Sequence, residues 1–371
     1  MAESNHIDVI EDFVYDSVNQ QYNKDYLHWR RHTKEAFIYR YQDDIREKVF
    51  TVNSSGIRIK QSAAAAERSA LSKCSELIGT ALLIFLVIEL LGGSLLIALL
   101  HLFGIDIRMD FLTLTMNGSQ WAVVGVRCLL IILKYALPAA FLIRFCRLPQ
   151  AIYAPAAPGG LPEYIAAAAA ALAISGIYSL TAYDLGVKTA QRLFTYQDTA
   201  AVLVFGLFEA IIGAVLAELL LRGAMLPLLR QFGDPFAIVV TAVLAFLCPN
   251  ELPDRISELL IGLAAGYLMI RSGSIFKVVV LRMICSALSY ARLVVIYTSR
   301  YLRVWEYALL LISIGALSLA FYFGLRRSQL RLHNRQTALS NPHKCAAFLQ
   351  SITLLPWAAA AVLLTLLQLF Y

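Results

Sequence analysis

The chain has 371 residues, 59% of them hydrophobic and 15% charged, and its mean hydropathy is +0.66. Soluble globular domains carry about 25% charged residues, so this composition excludes an ordinary soluble protein and predicts an integral membrane protein. The formal net charge of +7 does not indicate nucleic-acid binding, because the basic residues cluster at the ends of apolar segments, as membrane topology favours. The six cysteines include no CxxC pair, which argues against a disulfide framework and a zinc ribbon.

Residues 1–76 form a polar, aromatic-rich leader in which acidic and basic residues roughly balance. We expect a small cytoplasmic helical region with solvated faces. The alternative for AFIYRYQDDIREKVF (36–50) is an amphipathic helix on the membrane surface or against a partner. Residues 62–77 favour a helix that continues into the first apolar run. That run begins near Leu77, after a polar leader that does not resemble a secretory signal peptide, so residues 77–371 are interpreted as the transmembrane domain.

Runs of roughly 20 apolar residues predict membrane-spanning helices. The fifth and sixth runs are short and would need burial inside a bundle. The sequence thus predicts an all-α, polytopic transmembrane helical bundle of eight or nine spans. The runs lie near residues 77–103, 120–146, 162–182, 199–222, 236–249, 256–270, 275–297, 305–325 and 346–370.

The basic residues of the short connections orient the chain in the membrane. If the leader is inside, the inside connections carry more basic residues than the outside ones, so the bias predicts a cytoplasmic N-terminus. Nine spans would then place the C-terminus outside, and a change of one span would reverse that. The inside connections hold Arg144, Arg147, Arg230, Arg271, Arg326, Arg327, Arg331, Arg335 and Lys344.

The segment AELLLRG (217–223) places an acid and an arginine at the end of an apolar run. Glu218 and Arg222 are four residues apart and share one helix face. A charge at the centre of a bilayer costs about 2.5–3.5 kcal/mol on insertion scales, so we expect these two side chains to form a salt bridge. Arg282, in the seventh predicted span, either joins this pair or extends to the inner membrane interface.

Other predicted spans carry charges as well. Arg127 and Lys134 are seven residues apart on one helix face, so they either line a groove or pair with Glu209. Acids such as Glu209 and Glu89 within a span are by default functional candidates, although a structural ion pair is the interpretation we favour. Gly262 and Gly266 form a GxxxG pair, which we expect to serve close helix packing within the chain.

An ordered set of features in residues 199–300 resembles one known family. AELLLRG is followed by LPLLRQFGDP, then by an apolar helix with Phe246 four residues before Asn250, and then by ELLIGLAAGYLMIRSGSIFKVVVLR. This order is similar to that of the CPBP family of intramembrane metalloproteases, the CAAX-protease and bacteriocin-processing or Abi family. Its signature is EExxxR on one helix, FxxxH on the next and HxxxN on a later one.

The resemblance implies a glutamate that activates water, together with histidines that hold that water with or without a metal ion, for attack on a peptide bond near a membrane-borne cysteine. At the corresponding positions of this sequence the catalytic residue types are replaced. Ala217 cannot take a proton, Asn250 cannot titrate, and Arg282 repels a metal ion. None of the six histidines lies inside the fourth to seventh predicted spans. The vestigial motif positions are Ala217, Glu218, Arg222, Asn250, Arg282 and Ser286, and the histidines are His6, His28, His32, His101, His333 and His343.

We therefore expect a catalytically inactive CPBP-like protein without a cofactor, which binds or scaffolds a membrane-embedded or lipidated peptide or another membrane protein. The resemblance places it in a bacterial cytoplasmic membrane. The first alternative is an active intramembrane endopeptidase, of CAAX or bacteriocin-processing type, with Glu218 as the base and zinc as the cofactor. Cys248 and Cys285 lie near the vestigial positions, but buried cysteines are usually inert. A small transporter is the weaker alternative, because no inverted repeat is visible. The sequence does not determine the oligomeric state.

Overall fold

A computed structural model of the chain describes residues 19–39, 51–53, 56–58, 63–109, 116–149, 153, 199–248, 252–298, 312, 314–315 and 338–370. Helices dominate these residues. The strands among them form two short antiparallel hairpins, in which β1 (Thr51–Asn53) pairs with β2 (Gly56–Arg58) and β3 (Ile107–Met109) pairs with β4 (Met116–Gly118). The predicted all-α membrane class is confirmed.

The first described helices belong to the leader and to the first two predicted spans. One continuous helix of 39 residues, Ala64–Leu102, extends the predicted first span through the alanine-rich segment before it, as expected. The second predicted span, 120–146, corresponds closely to a single helix. The elements are α1 (Gln20–His32), α2 (Ala63–Val87), a π-helical turn (Ile88–Gly92), α3 (Gly93–Leu102) and α4 (Gln120–Phe145).

The helices of the region with family-like motifs follow one another with short connections. The first of them runs without interruption from residue 199 to residue 230 and contains two π-helical turns. The elements are α5 (Thr199–Phe208), a π-helical turn (Glu209–Gly213), α6 (Ala214–Glu218), a second π-helical turn (Leu219–Met225), α7 (Leu226–Arg230), α8 (Asp234–Leu247), α9 (Leu252–Ser272) and α10 (Ile275–Thr298).

Within the described residues, three helices are long and apolar enough to cross a membrane: Ala64–Leu102, Gln120–Phe145 and Ala200–Arg230. A bent pair of helices near the C-terminus raises this number to four if the pair forms one span. The predicted spans at 162–182 and 305–325 lie outside the described residues. The sixth predicted span, 256–270, is longer than expected, because α9 covers 21 residues.

The span predicted at 346–370 is interrupted by a bend. The structure contains two helices there, α11 (Asn341–Leu349) and α12 (Leu354–Phe370), and they meet at an angle of 86°. In the break, the side-chain hydroxyl of Ser351 accepts a hydrogen bond from the backbone N–H of Leu354 at 3.0 Å, which caps the start of α12. A count of apolar residues does not detect this bend.

Part of the leader packs against the transmembrane helices. Tyr22, Tyr26 and Trp29 on α1 are buried, and the Tyr26 hydroxyl donates to the carbonyl oxygen of Pro227 at 2.7 Å. Only residues 36–39 of the segment 36–50 are described, and Phe37, Ile38 and Tyr39 are buried among them. The leader thus contributes to the same hydrophobic core as α7.

Candidate functional site

The site is organised around Glu218 and Arg222, at a point where the helix 199–230 changes its winding. The π-helical turn Leu219–Met225 begins directly after Glu218. Such turns widen the helix locally and often occur at functional sites. Arg222 Nη1 lies 3.2 Å from Glu218 Oε1, and both side chains are completely buried. The salt bridge predicted from the four-residue spacing is confirmed.

The other terminal nitrogen of Arg222 binds the neighbouring helix α9. Arg222 Nη2 donates to the carbonyl oxygen of Gly262 at 2.7 Å. A Cβ atom at this glycine would lie 2.9 Å from Arg222 Nη2 and 3.1 Å from the Cα of Ala242 on α8. The glycine therefore allows both the hydrogen bond and the close approach of α8 and α9, and the GxxxG pair serves packing within the chain as predicted.

Arg282, on α10, connects Glu218 to a second carboxylate. Its Nη1 lies 3.7 Å from Glu218 Oε1, and its Nη2 donates to Glu258 on α9. Only 7% of Arg282 is exposed. Of the two predicted alternatives, the structure thus supports the one in which Arg282 joins the Glu218–Arg222 pair, and extension to the membrane interface is wrong. The sequence interpretation missed Glu258, whose only signal was an acid near the start of a predicted span.

We call Glu218, Arg222, Glu258 and Arg282 the charge cluster. Two carboxylates and two guanidinium groups give it a formal charge of zero. Glu218 Oε2 is also buried, and it has no hydrogen-bond partner within the described part of the chain. Such an atom in a native structure calls for an explanation, which is often an ordered water or a ligand. The cluster thus retains one unused acceptor at its centre.

The charge cluster does not have the donor set of a metal site. The two carboxylates are held by guanidinium groups, and a permanently cationic arginine opposes a divalent ion. In the described ranges, no group of three or more histidine, cysteine, aspartate or glutamate side chains could hold a metal ion. The four side chains of the charge cluster therefore do not provide the ligands that the metal of the family resemblance would need.

The remaining vestigial positions lie close to the cluster in sequence. Ala217 is buried directly before Glu218, and Ser286 is partly exposed one turn after Arg282 on α10. Cys248 and Cys285 are buried free thiols. Asn250, the vestigial position of the second motif, lies outside the described residues.

A second intramembrane ion pair lies apart from the charge cluster. Lys134 Nζ on α4 lies 3.0 Å from Glu89 Oε2, and each side chain is 13% exposed. The same ammonium group lies over the rings of Phe85 and Tyr135, at 5.7 and 5.4 Å from their centroids. The alternative in which Lys134 pairs with Glu209 is therefore wrong. The sequence could not identify Glu89 as the partner, because the two residues belong to different helices.

The comparisons with known proteins address the segment that contains the charge cluster. Residues 199–288 match a family model described as type II CAAX prenyl endopeptidase Rce1-like. No curated protein and no solved structure matches the chain. The match begins at α5 and ends within α10, so it includes all four members of the cluster. It confirms the predicted resemblance to the CPBP family over most of the expected range, 199–300.

Proposed function

Since residues 199–288 of this integral membrane protein match the Rce1-like type II CAAX prenyl endopeptidases, we propose that the chain is a catalytically inactive relative of these enzymes. In this proposal it binds a membrane-embedded or lipidated peptide, or another membrane protein, in the region that corresponds to the relatives' active site. The observation that carries the proposal is the charge cluster, in which Arg282 forms ion pairs at a position where the resemblance places an imidazole, next to a helix that carries Ala217 at the position of the catalytic base.

The residue types at the motif positions support the absence of catalysis. Ala217 has no group that accepts a proton, so it cannot replace the first glutamate of the motif. Arg282 remains cationic at every accessible pH and cannot act as a neutral ligand, as an imidazole does. Its two carboxylate partners hold it inside the bundle. The position is thus committed to an ion pair.

The charge balance supports the absence of a cofactor. A divalent ion about 4 Å from one guanidinium group is opposed by roughly 8 kcal/mol at an effective dielectric constant of about 20. Two guanidinium groups lie in the cluster, and they offset the attraction of its two carboxylates. The four groups therefore carry no net negative charge that would attract a cation.

One observation favours the alternative, an active peptidase with Glu218 as the base. Glu218 Oε2 has no hydrogen-bond partner in the described part of the chain, so it is free to accept a proton or a hydrogen bond from a bound molecule. The same atom would serve a binding protein as an acceptor for a peptide N–H. The two functions therefore differ in the fate of the bound peptide, which an experiment can follow.

The test uses the full-length protein, purified in detergent and reconstituted into lipid nanodiscs. Zinc is measured by elemental analysis, and a prenylated CAAX peptide with a photoreactive group is supplied with and without a chelator. We expect no zinc that depends on Glu218, no cleavage, and cross-linking that unlabelled peptide displaces. Glu218→Gln serves as the site variant and Glu89→Gln as the matched control, because Glu89 is an intramembrane carboxylate outside the cluster.

Each outcome decides one part of the proposal. The active peptidase would be established if the protein cleaves the peptide, the chelator inhibits cleavage, Glu218→Gln abolishes it and Glu89→Gln leaves it intact. Cross-linking that unlabelled peptide does not displace would refute binding of a prenylated peptide. Displaceable cross-linking without cleavage, weakened only by Glu218→Gln, is the result that the proposal requires.

We also propose a bacterial cytoplasmic membrane as the location, with the N-terminus in the cytoplasm. Support comes from the contacts of α1, which reach three connections predicted to be inside. Trp29 donates to the carbonyl oxygen of Cys146 at 3.0 Å, Tyr26 binds Pro227, and Asn19 donates to the carbonyl oxygen of Gly273 at 3.1 Å. The basic residues Arg144, Arg230 and Arg271 lie beside these contact points. Basic connections therefore gather at the end of the bundle where α1 lies.

Labelling of a single cysteine tests this orientation. Cys345 on α11 is exposed, and the preceding Lys344 binds the carbonyl oxygen of Phe232, so α11 lies at the same end of the bundle as the 230–234 connection. In a variant that retains only this cysteine, a membrane-impermeant maleimide should react in inverted vesicles and not in intact cells. Reaction in intact cells would reverse the orientation.

A further inference from the structure

The outer face of α1 carries two histidines on a well-anchored helix. The inner face holds the buried residues Tyr22, Tyr26 and Trp29. The side chain of Asn19 caps the first turn by accepting from the backbone N–H groups of Gln21 and Tyr22. The anchored helix thus presents its exposed side chains, His28 and His32 among them, from a fixed backbone.

His28 and His32 are one helical turn apart, and their rings are already adjacent. The ring centroids lie 3.9 Å apart, with an angle of 22° between the ring planes. His32 Nδ1 lies 2.9 Å from the carbonyl oxygen of His28, a group that can only accept a hydrogen bond. The proton of a neutral His32 ring is therefore assigned to Nδ1, and the lone pair to Nε2.

We propose that His28 and His32 form a surface site for a divalent transition-metal ion of the zinc, copper or nickel class. Two nitrogens that each lie about 2.1 Å from one ion are about 3.4 Å apart at a tetrahedral angle. The ring centroids already lie 3.9 Å apart, so the two rings are close enough to share one ion. Rotation of the rings out of this stacked arrangement would direct both nitrogens to it.

Two further features favour this chemistry. Histidines at positions i and i+4 of a helix are an established arrangement for binding zinc, because they project from one face. Metal-bound histidines usually donate their second ring N–H to a carbonyl or carboxylate, which fixes the ring and its tautomer. The hydrogen bond from His32 to the backbone is of this kind. The hydrogen bond that would hold one of the two metal-bound histidines thus exists before an ion binds.

The composition of the site defines which ions it accepts. Imidazole nitrogen favours zinc, copper and nickel over magnesium and calcium, which prefer oxygen ligands. The carboxylate of Asp25, one turn before His28, accepts hydrogen bonds from the Gln21 side chain at 3.0 and 3.1 Å. The described residues contain no larger group of metal ligands, so water completes the coordination. The site is open and independent of the charge cluster.

The test is a titration of the full-length protein, prepared without a polyhistidine tag, with zinc, nickel or magnesium chloride. At pH 8, where imidazole is neutral, calorimetry should detect one zinc or nickel ion per chain and no magnesium. The variants His28→Gln and His32→Gln should each weaken binding at least tenfold. His343→Gln is the matched control, because this histidine is exposed on α11 and contacts the hydroxyl of Ser340.

The fold of each variant is checked without metal by its unfolding temperature, which should match the wild type because both rings are exposed. Ions that bind only the folded chain should also raise that temperature in the wild type. Saturable binding that survives both α1 substitutions, or no saturable binding at millimolar metal, overturns the proposal. A failure here leaves the binding function of the charge cluster untouched, since the two sites share no residue.

Discussion

The charge cluster and the Glu89–Lys134 pair are two solutions to the same problem, a charge placed within a membrane-spanning bundle. In the cluster, Glu218 and Arg222 are fully buried and each has more than one polar partner. In the pair, each side chain is 13% exposed, and the ammonium group also lies over two aromatic rings. Loss of Glu218 therefore removes the carboxylate partner of Arg222 in the cluster and leaves Arg282 with Glu258. Loss of Glu89 leaves a single, partly exposed ammonium group in the pair.

The largest expected effect is that of Glu218→Ala. The substitution removes the carboxylate between Arg222 and Arg282, and breaking a fully buried ion pair costs roughly 3–5 kcal/mol because a charge remains uncompensated. Unfolding in detergent, followed by the midpoint temperature, measures it. The double variant Glu218→Leu/Arg222→Leu removes both charges, so it should lose less than the single variant. An unchanged midpoint for Glu218→Ala would mean that the carboxylate is not part of a buried pair.

A smaller loss is expected from Gly262→Ala, which tests the packing that positions Arg222. The added methyl group would lie 2.9 Å from Arg222 Nη2 and 3.1 Å from the Cα of Ala242, so the guanidinium group and a backbone must move. Overpacking of this kind costs about 1–3 kcal/mol. Gly125→Ala on α4 is the matched control, because a Cβ atom there meets nothing within 4 Å. Equal unfolding temperatures for the two variants would contradict the close approach of α8 and α9.

For Glu89→Gln we expect a loss on the order of 1–2 kcal/mol, below that of Glu218→Ala. Lys134 retains its contacts with Phe85 and Tyr135 and can extend toward water or lipid headgroups. The comparison of the two carboxylates is made in one detergent with the same unfolding assay. A loss as large as that of Glu218→Ala would show that partial exposure does not relieve the unpaired ammonium group.

The smallest effect concerns a third ion pair, Glu67 with Lys344, which lies outside the predicted spans. Lys344 Nζ lies 3.6 Å from Glu67 Oε1, and burial raises the pKa of the Glu67 carboxyl above its ordinary value of 4.5. The folded chain therefore binds this proton more tightly than the unfolded chain. Between pH 4.5 and the raised pKa, this carboxyl makes the free energy of unfolding fall as the pH rises. The slope should vanish in Glu67→Gln, and its persistence would assign it to other groups.

The same comparison shows where sequence reasoning succeeds. The Glu218–Arg222 bridge could be predicted because both residues belong to one helix, and the four-residue spacing alone places them on one face. Arg282 could be placed beside them because the family-like order of motifs brings α10 to the same region. Glu258 and the partner of Lys134 could not be identified, since both contacts join different helices. Such contacts depend on how each helix is rotated about its axis.

The sequence by itself determined the membrane class, the helical architecture and most described span positions, because about 20 apolar residues in a row satisfy a bilayer only as a helix. The sequence also predicts that the motif positions lack the catalytic residue types of the family. Only the tertiary structure decided that α1 packs onto the bundle, that the segment 346–370 bends between α11 and α12, and that Arg282 bridges two carboxylates. Each of these depends on side chains that meet across many intervening residues, and local spacing carries no information about such encounters.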